Sequence, residues 1–158
     1  MNVTRLSMSR LLRFTAVLIC AISLLVGADV ALAEPDAQSE LTATAGEGSG
    51  RVVVSPTAKN QGTFAAEITI NIHGAAPNTT FLVRRAPDLN PNGICTGSFI
   101  PFAGETLTTS EGGAGAMNFF FERGAPFVSG TRFNVVFQVY TADGATVLQS
   151  DCMTITVK

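Results

Sequence analysis

The chain has 158 residues, of which 46% are hydrophobic and 14% are charged, and its net charge is −2. This length suits one globular domain with a hydrophobic core of its own. Binding a phosphate backbone takes a clustered basic surface, yet Arg84-Arg85 is the only pair of adjacent cations after residue 33. The composition therefore excludes a nucleic-acid partner.

The N-terminus has the pattern of a Sec-type export signal. Three arginines precede an apolar run, and small residues at Ala31 and Ala33 follow it. The run is shorter than the roughly 20 apolar residues of a spanning helix. We therefore predict a signal peptide over residues 1–33, cleaved after Ala33, and a secreted, extracellular protein that meets the membrane only through this signal. Cleavage after Ala28 and an uncleaved anchor are the alternatives.

Residues 34–50 read EPDAQSELTATAGEGSG, a small, polar and Gly-rich stretch without an apolar face. Such a composition is typical of a flexible linker. We therefore predict a disordered stalk over 34–50 and a folded domain over 51–158.

Beyond this stretch, apolar residues recur at every second position, which is the period of a strand with one buried face. Turn residues such as Asp143-Gly144 separate the runs, and no long segment has the helical period. The pattern predicts an all-β domain, a two-sheet antiparallel sandwich of about seven to eight strands. The alternating residues are Val52 and Val54; Ile68, Ile70 and Ile72; Phe81 and Val83; Met117, Phe119 and Phe121; Phe133, Val135, Phe137 and Val139; Met153, Ile155 and Val157.

Two segments resemble a known class of module. INIHGAAPNTTFLVRRA, Ile70 to Ala86, is similar to a strand-turn-strand of immunoglobulin-like and fibronectin type III-like bacterial secreted modules. GTRFNVVFQV, Gly130 to Val139, resembles the late strands of such modules, including the apo-chromoprotein sandwiches that carry enediynes. The resemblance implies an immunoglobulin-like sandwich. The chain departs from the antibody pattern because it has no Trp.

Two cysteines follow the export signal, Cys95 and Cys152. Exported proteins meet oxidising conditions, and two cysteines allow one intramolecular pairing. We predict a structural disulfide that stabilises the fold by about 4 kcal/mol in the chain-entropy treatment.

The segment from Asp88 contains the D-x-N-x-N-G spacing with which a calcium loop begins, through Asp88, Asn90 and Asn92. A complete loop closes with a Glu at its twelfth position, and here that position is Phe99. We therefore predict a turn built on Asx side chains, with calcium bound by these three residues as the alternative. No cofactor is expected.

Phenylalanine is abundant, with 11 in the chain, and it is concentrated between Cys95 and Gly130. Residues such as Phe99, Phe102, Phe120 and Phe127 could belong to a satellite of the core. The alternative is that these four side chains line a pocket for a small apolar ligand.

His73 is the single histidine, which excludes metal centres built on several histidines. A serine nucleophile with His73 as base is formally conceivable, but no nucleophile motif accompanies it, so we do not expect an enzyme. Strand alternation sends Arg84 and Arg85 to opposite faces, where they would either protect a strand edge or meet an acidic partner.

These observations lead us to expect a secreted, non-enzymatic β-sandwich module that acts in surface interaction or as a structural exoprotein. We expect it to be a monomer with a protein or cell-surface partner. The alternatives are a carrier of a small apolar ligand in the phenylalanine-lined pocket and, second, a hydrolase.

Overall fold

The computed structural model describes residues 36–58, 62–125 and 127–158, so the predicted signal peptide lies outside the described residues. Within these ranges the chain forms strands and no helix, which confirms the all-β prediction. No helix in the described part of the chain has the length and hydropathy to cross a membrane. The strands are β1 (Ala37–Ala43), β2 (Ser49–Thr57), β3 (Phe64–His73), β4 (Thr80–Asp88), β5 (Ile100–Thr108), β6 (Gly115–Arg123), β7 (Arg132–Tyr140), β8 (Thr146–Ser150) and β9 (Met153–Thr156).

The strands form one continuous antiparallel sheet rather than two separate ones. They follow the path β5-β4-β7-β8-β1-β2-β3-β6, and β9 continues the line of β8 by pairing with β7. The two ends of the path approach each other, since Phe102 of β5 packs on Phe119 and Phe121 of β6. The sheet is therefore a nearly closed barrel. The two sheets of the predicted sandwich are not clearly separated from each other, because β1 pairs with both β2 and β8.

Strand β1 corrects the prediction of a disordered stalk over residues 34–50. It pairs with β2 along its length and with β8 from Leu41 to Ala43. Leu41 is fully buried, and it is the one large apolar side chain in the strand. Main-chain hydrogen bonds hold the remaining polar residues, and these bonds do not depend on an apolar side-chain pattern. The folded domain therefore starts before residue 51.

The alternating apolar residues point into the barrel as predicted. Along β2, β3, β4 and β7 the inward side chains are almost completely buried. Strand β7 is buried on its other face as well, at Asn134, Val136 and Gln138. The loop between β4 and β5 covers part of that outer face, because the Asn134 amide contacts its backbone. A disulfide fixes the same loop to the barrel: Cys95 and Cys152 lie at bonding distance, S–S 2.11 Å, as predicted.

Candidate functional site

A cavity of about 250 Å³ lies inside one end of the barrel. Of its 15 lining residues, 13 are apolar and the other two are Arg85 and Arg123. Six phenylalanines supply much of the wall: Phe64, Phe102, Phe121, Phe127, Phe133 and Phe137. Cavities of this kind, apolar with a few polar groups, are the usual form of a small-molecule site.

The strand order explains why the cavity forms at this end. In an antiparallel barrel the start of one strand lies beside the end of its neighbour, so the start of β3 meets the end of β6, and the start of β5 meets the end of β4. In the described residues no strand pairing closes the seam between β5 and β6. Leu89 and Ile100 line the cavity and are 53% and 41% exposed, and Arg123 is exposed. These three residues therefore mark its mouth.

The phenylalanine rings hold one another in defined orientations. Phe127, from the loop between β6 and β7, packs edge-on against Phe133 at 4.7 Å between centroids. Phe102 stacks on Phe137 at 6.1 Å and meets Phe121 edge-on at 5.3 Å. Edge-to-face and offset contacts are the favourable ring geometries. The wall of the cavity is therefore part of the packed core rather than a separate surface patch.

The structure brings two of the four predicted pocket residues to the cavity, Phe102 and Phe127. It places the other two elsewhere. Phe120 lies on the outer face of β6 and is 52% exposed, because the inward positions belong to its neighbours, among them Phe121 in the cavity wall. Phe99 is 38% exposed and covers the guanidinium of Arg84 on the outside of the barrel.

Arg85 is one of the site residues that sequence reasoning missed. It continues the inward series Phe81, Val83, Arg85 on β4 and is only 8% exposed. Its guanidinium lies 4.3 Å from the ring centroid of Phe102 and 4.5 Å from that of Phe121. Burial lowers the pKa of Arg85, and the positive charge of Arg123 lowers it further. The alternation rule could have identified Arg85, since it predicts an arginine in line with two core residues.

Arg84 points outward, as the alternation predicts. Its Nε donates to Oε1 of Gln138 at 2.7 Å and its Nη2 donates to Oγ1 of Thr146 at 2.8 Å. The guanidinium also lies over the Tyr140 ring. Arg84 does not protect a sheet edge, because β4 pairs with β5 on one side and with β7 on the other.

The Asp88 loop is closed by its own hydrogen bonds. Asp88 accepts from the backbone of Asn90 and from both the backbone and the hydroxyl of Thr96. These bonds, that of the Thr96 hydroxyl first, lower the pKa of Asp88. The loop therefore turns the chain through Asx hydrogen bonds, as the sequence predicts.

A side-chain amide occupies the concave side of this loop. The Nδ2 of Asn134, a fully buried residue, donates to the carbonyl oxygens of Asn90 and Ile94 and to Oδ1 of Asn92. These oxygens are the type of ligand that calcium uses, but here they accept from an N–H donor. A calcium ion bound by Asp88, Asn90 and Asn92 would therefore compete with the Asn134 amide for the oxygens of Asn90 and Asn92.

His73 and Ser49 lie opposite each other on β3 and β2, with the His73 Nε2 2.8 Å from the Ser49 Oγ. The pair lies at the protein surface, away from the cavity. In the described residues no carboxylate hydrogen-bonds to the imidazole, so the third member of a nucleophilic triad is not assembled there.

In the described residues, no group of three or more His, Cys, Asp or Glu side chains is placed to hold a metal ion. No protein-family model matches the chain. No curated protein matches it either.

Proposed function

We propose that this protein is a secreted carrier that binds a small apolar molecule inside the barrel. The observation that carries the proposal is the cavity of about 250 Å³ with its phenylalanine wall and exposed mouth. An apolar cavity of about 150 Å³ is large enough to bind benzene. The cavity is therefore of a size for a ligand of roughly ten heavy atoms.

We also propose that the fold is immunoglobulin-like, and the strand order supports this interpretation. Strands β2, β3 and β6 follow the order A-B-E of such modules, and β4, β7 and β8 follow the order C-F-G. In this reading β5 extends the second sheet and β1 is an additional strand between the two sheets. The cavity then lies between the layers, at one end of the shared core.

Naphthalene, a neutral probe of ten carbon atoms, tests the carrier function. Because a ligand that binds only the folded state stabilises it by mass action, we expect the melting temperature to rise with naphthalene concentration. Val54→Phe fills the cavity from β2, and Val53→Phe adds the same ring on the outer face of that strand. We expect the first variant to lose the response and the second to keep it.

Two results would oppose the carrier function. One is a wild-type melting temperature that does not change with naphthalene. The other is an undiminished response in Val54→Phe. If that variant does not fold, Ile155→Phe fills the same cavity from β9.

Surface interaction is the second candidate function. Leu89, Ile94 and Phe99 in the segment between β4 and β5, and Ile100 at the start of β5, are large apolar side chains that are all at least 38% exposed. Exposed apolar patches of this kind mark contacts with a partner protein or cell surface. Ile94→Asp should release the protein from the surface of producing cells and leave the naphthalene response unchanged, because Ile94 does not line the cavity. Equal retention of the variant and the wild type would exclude this patch as the contact.

A further inference from the structure

The cavity holds two positive charges in an otherwise apolar wall. Arg85 and Arg123 line it, and among the described lining residues there is no acidic side chain. Buried cations in proteins are normally paired with an anion because removing a charge from water is costly. The buried charge of Arg85 is therefore unusual, and it lies next to the space in which a ligand would bind.

The hydrogen bonds of Arg85 leave part of its guanidinium available. Nη1 donates to the carbonyl oxygens of Ile100 and Pro101, both at 3.2 Å. Within the described residues, Nε and Nη2 donate no hydrogen bond. Because no fully buried side-chain nitrogen in the described residues lacks a partner, these two groups must keep some accessible surface. Arg85 is only 8% exposed and is one of the residues that line the cavity, so we assign this accessible surface to the cavity side.

The electrostatics of Arg85 favour the binding of an anion beside it. Burial and the charge of Arg123 both lower the pKa of Arg85, so both effects disfavour its cationic form. The aromatic faces of Phe102 and Phe121 offset part of this cost. An anion beside both arginines would offset the rest, and a carboxylate matches the paired donors of a guanidinium.

We propose that the ligand of the cavity is a compact apolar carboxylate, with its apolar body among the phenylalanines and its carboxylate held by Arg85 and Arg123. This inference rests on the carrier function and adds the chemical class of the ligand. Nε and Nη2 of Arg85 donate to the carboxylate oxygens, and Arg123 approaches it from the mouth.

The test compares 1-naphthoate with 1-naphthamide, which have the same ring system and number of heavy atoms. The acid is ionised at pH 7, whereas the amide is neutral. Isothermal titration of the secreted protein gives both dissociation constants. We expect 1-naphthoate to bind about tenfold more tightly, as a hydrogen-bonded charge pair in a partly buried site would provide.

Three variants test whether the two arginines cause the preference for 1-naphthoate. Arg85→Met and Arg123→Met keep an apolar stem but remove one cation each, and Arg132→Met removes an exposed cation at the start of β7 that does not line the cavity. We expect either of the first two to reduce the ratio of the two affinities at least threefold and Arg132→Met to leave it unchanged. Because the measured quantity is a ratio, a general loss of packing does not imitate the effect. If Arg85→Met does not fold, the exposed position of Arg123 provides the second variant.

The outcomes separate this inference from the proposed function. Binding of naphthalene and of both derivatives with equal affinity would leave the carrier function standing and overturn the carboxylate. Failure of all three probes to bind would overturn both. A preference for 1-naphthoate that persists in Arg85→Met and Arg123→Met would also overturn the inference.

Discussion

Removing the Cys95–Cys152 disulfide should lower the stability of the domain by about 4 kcal/mol. The bridge links residues 57 apart, and closing a loop of that length in the unfolded chain costs about 4 kcal/mol of chain entropy. The loop that carries Cys95 has a second attachment in the folded state, through the Asn134 amide. The fold should therefore survive the loss of the bridge, and the effect should arise mainly from the unfolded chain.

The experiment uses the double variant Cys95→Ser, Cys152→Ser and follows thermal unfolding by circular dichroism. For a domain of this size a loss of 1 kcal/mol lowers the melting temperature by roughly 4 °C, so we expect a decrease of about 15 °C. Wild-type protein kept reduced provides the control, and its melting temperature should equal that of the double variant. If the melting temperature falls by less than about 4 °C, and the disulfide of the wild type has been verified by mass, the bridge does not stabilise the domain by restricting the unfolded chain.

Two further predictions concern the loop between β4 and β5. Asn134→Ala removes the amide that satisfies the carbonyl oxygens of Asn90 and Ile94, and we expect a loss of about 2 to 4 kcal/mol in urea unfolding. Hydrogen bonds lower the pKa of Asp88 in the folded state, so its contribution to stability is full above the unfolded pKa of about 3.9 and is lost as the pH falls through the lower folded value. We therefore expect Asp88→Asn to reduce the fall in stability between pH 5 and pH 2.

Each of these predictions has its own control. Asn118→Ala removes an exposed amide that bonds to Thr69, and it should cost no more than about 0.5 kcal/mol. An equal loss in Asn118→Ala and Asn134→Ala would contradict the anchoring role of the buried amide. For Asp88, identical acid unfolding profiles in the variant and the wild type would mean that its hydrogen bonds do not persist in solution.

The sequence predicts most of the interior of this fold because burial and strand period are local properties. Val52 and Val54, and likewise Phe133 and Val135, alternate at period two, and the structure buries all four. The sequence also predicts the disulfide, because Cys95 and Cys152 are the two cysteines that follow the predicted signal peptide.

The features that the sequence did not reveal depend on long-range pairing. Strand β1 has one large apolar residue, Leu41, and its position depends on backbone bonds to β2 and β8. The nearly closed barrel depends on the same pairing of β1 with β2 and β8. No local pattern predicts it.

The cavity was only half predicted for a similar reason. Composition indicates Phe102 and Phe127, but Phe64 and Phe133, which pack on Phe127, lie on β3 and β7 and reach it only in the folded barrel. Arg85 is the exception, because alternation alone places it in line with core residues. Its role was missed because an arginine is not expected inside a core.

Binding of an apolar ligand inside the barrel can be measured directly by NMR of the protein with naphthalene, which detects contacts between the ring and methyl groups. Val54 lines the cavity, whereas Val53 lies on the outer face of the same strand. We predict contacts from the naphthalene ring to the methyl groups of Val54, Ile68 and Val135 and none to Val53. Contacts to Val53 alone, or to no methyl group at all, would show that the ligand does not occupy the interior of the barrel.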